Sequence, residues 1–112
     1  MIRLSKNKKV KILKTVRIKD NCWNMPGGGY LNSGTIVQVT GGPTNISDVP
    51  FKVIEGTGEI THRNYTGDIT RKIEAGSKGF FFSEGHNTQA PYDYGTLDTN
   101  FFEEIHLYEK NN

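Results

Sequence analysis

The chain reads as an all-β protein, and three observations predict it. Apolar and polar residues alternate with period two in short stretches such as Val10-Lys11-Ile12 and Val16-Arg17-Ile18-Lys19. Glycine-rich turns separate these stretches at short intervals, with 13 glycines in 112 residues. Ala and Leu, which favour helices, are scarce, and six Phe with five Tyr supply bulk for a core. The expected architecture is one domain over residues 1–112, a small barrel or partly open sandwich of about five to seven strands. At most one short helical turn is expected, near 98–104.

The elements follow in order. Lys8–Leu13 reads as a strand with Val10 and Ile12 on one face and Lys9 and Lys11 on the other. The strand either bends at Leu13-Lys14 or runs on to Lys19. Val16 and Ile18 then alternate with Arg17 and Lys19, again one dry face and one wet. Asp20–Ser33 reads as a loop of about fourteen residues, a length often tied to function. It holds Trp23, Met25, Pro26, Gly27-Gly28-Gly29 and Tyr30, the glycines giving the backbone freedom at an entropic cost. Trp23 and Tyr30 either fold back onto the core or form an exposed platform for a ligand.

Gly34–Thr40 reads as the next strand, with Val37 and Val39 inward. Gly41-Gly42-Pro43 breaks it. Pro50–Glu55 and Glu59–Arg63, joined by Gly56-Thr57-Gly58, read as a hairpin. Asp68–Glu74 reads as a strand with a bulge. Phe80-Phe81-Phe82 implies a strand covered on both faces or placed at a barrel corner. Residues 83–96 form a second long polar loop, with Tyr92 and Tyr94. Asn100 and Glu103 have capping-box spacing, so Leu97–Glu104 reads as a helical turn or as extended chain. Ile105–Tyr108 reads as a closing strand.

Charge is unevenly spread. Residues 1–20 hold eight cations against Asp20 alone, a net +7, whereas the rest holds six cations against eleven acids, a net −5. Such a basic segment on an acidic body is either a footprint for an anionic partner or a set of solvated lysines guarding strand edges. The lone Cys22 excludes an internal disulfide. The first residues lack an apolar signal-peptide core, and the longest apolar run is Phe80–Phe82, so a cytoplasmic setting without membrane contact is expected. In that setting the sequons at Asn45 and Asn64 are chance matches.

Val16-x-Ile18, a turn, and Gly34-x-Ile36-Val37-x-Val39 resemble the opening of SH3-like barrels, KOW and Tudor modules among them. A short helical turn before a last strand fits as well. The resemblance implies a five-stranded barrel whose long first loop helps form a ligand-binding edge, and KOW-type barrels commonly bind nucleic acid or its machinery. The Lys-, Asn- and Gly-rich composition is also similar to that of phage-encoded accessory proteins.

No catalytic constellation is legible. Cys22 has no neighbouring His, and His62, His86 and His106 lie about twenty or more residues apart, without metal-ligand spacing. Neither Gly56-x-Gly58 nor Gly27–Gly29 is a phosphate-binding fingerprint, and Glu103-Glu104 gives no paired-acid arrangement. The expectation is therefore no enzyme, no cofactor and no metal. Two binding functions remain. In the first, Lys9, Lys11, Lys14, Arg17 and Lys19 neutralise nucleic-acid phosphates, Lys6 and Lys8 add reach, and Trp23 and Tyr30 stack on bases. In the second, the loops carrying Trp23, Tyr30, Tyr92 and Tyr94 form a patch for a protein partner that the lysines steer. An edge strand could also pair with its copy to give a homodimer.

Overall fold

The computed structural model describes residues 2–3, 6–20, 27–40, 49–81, 96–97 and 100–105. All described regular structure is β, in eleven strands: β1 Ile2–Arg3, β2 Lys9–Ile12, β3 Val16–Lys19, β4 Gly28–Leu31, β5 Ile36–Val39, β6 Val49–Glu55, β7 Gly58–His62, β8 Ile69–Lys72, β9 Lys78–Phe81, β10 Thr96–Leu97 and β11 Phe102–Ile105. Nine form one antiparallel sheet in the order β11-β2-β5-β6-β9-β3-β4-β7-β8, and β1 pairs with β10 separately. This exceeds the expected strand number, chiefly because segments read as loop also pair.

The alternation does place the core. Val10, Ile12 and Ile18 are buried between outward-pointing cations, and Val37, Val39, Phe51, Val53 and Phe81 join them. The sheet wraps around these side chains. Phe102 on β11 and Phe81 on β9 are four places apart in the sheet, about 19 Å in a flat one at about 4.8 Å per strand. Their ring centroids lie 5.1 Å apart, edge to face, and Phe81 also stacks on Phe51 at 4.3 Å. Five strands, β11-β2-β5-β6-β9, therefore curl around one apolar centre. Among these five, β2, β5, β6 and β9 follow one another in space in their chain order, and β11 returns beside β2. The hairpins β3–β4 and β7–β8 extend the sheet beyond β9.

Three local expectations are corrected, and one left open is decided. The loop read over Asp20–Ser33 contains β4, and its glycines serve close approach instead of flexibility. A Cβ on Gly29 would lie 1.9 Å from the Glu59 carbonyl oxygen of β7, and one on Gly27 would lie 1.8 Å from that of Thr61. Strand β4 can thus lie in the sheet only because it is bare there. The hairpin expected over 50–63 does not form: β6 pairs with β5 and β9, while β7 pairs with β4 and β8. Between them Thr57 is held by Thr35, a buried residue whose Oγ1 accepts from the Thr57 N–H and donates to the Thr57 carbonyl, both at 3.1 Å. This clamp and the positive φ of Gly56 (138°) and Gly58 (157°) carry the chain across to β4.

The bulge expected near residue 70 lies elsewhere. β8 pairs with β7 in unbroken register, and the irregularity falls on β6 opposite Ile36/Val37 of β5, where Ile54 is the extra residue between Val53 and Glu55. No helical turn forms over 100–105: Phe102–Ile105 pairs with β2, because burial of Phe102 beside Phe81 outweighs a single turn capped by Asn100. The chain does bend between β2 and β3, at residues 13–15, so the first two basic segments are separate strands. Phe82, Tyr92, Tyr94 and residues 106–112 lie outside the described residues.

Candidate functional site

Facing the side chains of each strand inward or outward follows from period two, and which cations meet follows from register. On β2, Lys9 and Lys11 point away from buried Val10 and Ile12; on β3, Arg17 and Lys19 point away from Ile18. The two pairs share the outer surface but not a neighbourhood, since β5, β6 and β9 lie between their strands. Lys14 sits on the bend, its ammonium 5.7 Å from the centre of the Phe101 ring, within cation–π reach. Lys6 is exposed on a turn, and Lys8 is tied to Glu104 by a 2.8 Å ion pair. Lys9 and Lys19 are each engaged with a neighbour. Trp23 lies outside the described residues.

Register brings two of the candidate residues together. Tyr30 stands directly opposite Arg17 and is 39% exposed, so the two side chains share the outer surface. On its other side Tyr30 faces Glu59, and Glu59 faces Lys72. A row Arg17–Tyr30–Glu59–Lys72 thus crosses the four-stranded extension. Its charges alternate around one ring, an arrangement that offers stacking beside a cation and also a carboxylate that repels phosphate.

A second row was not read from the sequence. Register places Lys9 opposite Gln38, Gln38 opposite Lys52, and Lys52 opposite Lys78, across β2, β5, β6 and β9. Phe51 and Val53 beside Lys52, and Gly79 and Phe81 beyond Lys78, are buried, so both lysines point outward. Neither makes an ion pair with any described residue. Directly opposed side chains have Cβ atoms about 4.5–5.5 Å apart, and like charges in that relation repel. In the adjacent row Lys19 faces Phe80, and Phe80 faces Pro50. The outer surface of β2-β5-β6-β9-β3 therefore carries Lys9, Lys52, Lys78 and Lys19 with no carboxylate at the paired positions between them. Alternation around Phe51 and Val53 exposes Lys52 in the sequence; its partner Lys78 can be found only from pairing.

Comparison with family models, with curated proteins and with solved structures finds no match to this chain. Among the described residues no three His, Cys, Asp or Glu converge as metal ligands, and no helix is long and apolar enough to cross a membrane. Of the three histidines, His62 is described; it is exposed and bonds Asp20 through Nδ1.

Proposed function

We propose that this chain is a non-catalytic nucleic-acid-binding module, built as an SH3-like barrel of β11-β2-β5-β6-β9 and acting in the cytoplasm. The observation that carries the reading is the opposition of Lys52 and Lys78 within the row begun by Lys9. Two like charges across one ladder rung cost the fold stability. A polyanion laid along the row removes that cost and releases its own counterions. Lys19 lies one row away, and Arg17 beside exposed Tyr30 supplies a stacking platform at the end of the surface. Contacts of this kind go to phosphates, so the reading implies little sequence preference.

Mobility shift on random-sequence DNA tests it. With four phosphates neutralised, raising salt from about 50 to about 200 mM should weaken single-strand binding about fifty-fold and duplex binding about 150-fold. Replacing Lys52 and Lys78 by Gln should lower the salt slope by about two. No retardation at the lower salt would exclude the reading. Capture of an acidic protein in its place would favour the protein-interaction alternative.

A further inference from the structure

Strand β8 ends the nine-stranded sheet. β7 pairs along one of its edges, and among the described residues no strand pairs along the other. Register shows which backbone groups that free edge offers. The Ile73 N–H donates to the Gly58 carbonyl at 3.0 Å, so in this ladder Ile69, Arg71 and Ile73 are the residues that bond β7. Thr70 meets Thr61 side by side instead, their Oγ1 atoms 2.9 Å apart, as in the close non-hydrogen-bonded pairs of an antiparallel ladder. The N–H and C=O groups of Thr70 and Lys72 therefore point away from the sheet. All four residues of β8 are exposed, Ile69 by 45%. Such an edge is a template for another strand, and charged side chains guard it only where no partner answers their charge.

Here the charges answer each other. Asp68 and Lys72 flank Thr70 two positions to either side, and neither makes an ion pair with any described residue. Consider two copies of β8 paired antiparallel about a dyad perpendicular to the sheet, so that one residue faces itself. Centred on Asp68, Arg71 or Lys72, the pairing opposes like charges. Centred on Ile69, it sets Asp68 against Thr70 and Lys72 against Thr66. Centred on Thr70, it sets Lys72 against the partner's Asp68 and Asp68 against the partner's Lys72, one opposite-charge pair on each side of the dyad. The same register lays the alkyl stem of Arg71 beside the partner's exposed Ile69. It also engages the outward backbone groups in about six hydrogen bonds.

We propose that β8 docks a second copy of this chain, antiparallel about a dyad at Thr70. The two sheets then run into one another, and their cationic outer surfaces face the same way. The inference stands or falls without the nucleic-acid reading, which mobility shift tests separately.

Sedimentation equilibrium of the full chain from about 10 µM to about 1 mM is the test, a range suited to an interface of one short strand. The average mass should rise from one chain towards two. Asp68→Lys sets cation against cation at both ends and should weaken association at least about tenfold; Lys72→Asp should do the same with two anions. The two changes together restore opposite charges and should restore the dimer. Thr70→Pro removes an N–H that β7 does not use, so it should keep the thermal unfolding transition and lose the dimer. Amide hydrogen exchange reads the register. Protection at Thr70 and Lys72 should rise with protein concentration, while Arg71, bonded to β7 in either state, should change little. A chain that stays monomeric to about 1 mM would overturn the proposal. So would a dimer indifferent to these substitutions, or one that the double exchange fails to restore.

Discussion

Lys52 and Lys78 oppose each other on an otherwise well-ordered ladder, so a change there separates stability from binding. Lys52→Glu turns repulsion into attraction across the rung and should raise unfolding stability by about 0.5 kcal/mol in urea titration. The same change removes a phosphate partner and adds a repulsive charge, so DNA retardation should weaken. A substitution that lowered both would mean the lysines serve the fold. Glycines allow an equally sharp contrast. Gly29→Ala forces a Cβ against the Glu59 carbonyl oxygen, which would lie 1.9 Å away, whereas at Gly28 the nearest atom lies 3.5 Å away. Gly29→Ala should cost about 3 kcal/mol through backbone displacement, and Gly28→Ala should be nearly neutral. Thermal denaturation of the two variants compares them directly.

Elements are joined here by side chains as much as by turns. The link from β6 to β7 depends on Thr35, which both accepts from and donates to the Thr57 backbone. Thr35→Val keeps the shape and leaves the Thr57 N–H without this partner, so it should cost about 1–3 kcal/mol in urea. Thr35→Ser retains the hydroxyl and should cost less. These connections mark the limit of what the sequence displays. Period two shows which way Val10, Ile12, Ile18, Val37, Val39, Phe51 and Val53 point, and all are buried as read. It does not show which strand lies alongside. Hence β6 and β7 read as a hairpin, because Gly56-Thr57-Gly58 looks like a tight turn when the Thr35 clamp is not in view. Strand β4 reads as loop because glycine is depleted in strands generally, while its role depends on the backbone of β7. The cationic surface divides the same way. Outward-facing Lys9, Lys11, Arg17 and Lys19 were legible one strand at a time. Pairing separates them, joining Arg17 to Tyr30 and Lys9, through Gln38, to Lys52 and Lys78.

Closure of the molecule rests on contacts distant in the chain. Phe102 pairs with Ile12, ninety positions earlier, and its ring meets Phe81 across the curled sheet. The hairpins β3–β4 and β7–β8 join partners close in sequence and face a smaller loop-closure cost. With so much non-local pairing, folding should fall in the millisecond-to-second range of all-β domains. The local hairpins and the Phe51–Phe81 stack should precede docking of β11. Phe102→Ala removes most of a buried ring and should cost about 3–5 kcal/mol. If β11 docks after the transition state, that loss appears almost wholly as faster unfolding, with the folding arm of the chevron unmoved. Stopped-flow measurement in urea distinguishes this from a slowed folding arm, which would place β11 in the nucleus. Late docking leaves the cationic row intact, because β2, which carries Lys9, pairs with β5 along the edge that β11 does not occupy. Phe102→Ala should therefore lower DNA affinity only to the extent that it unfolds the chain.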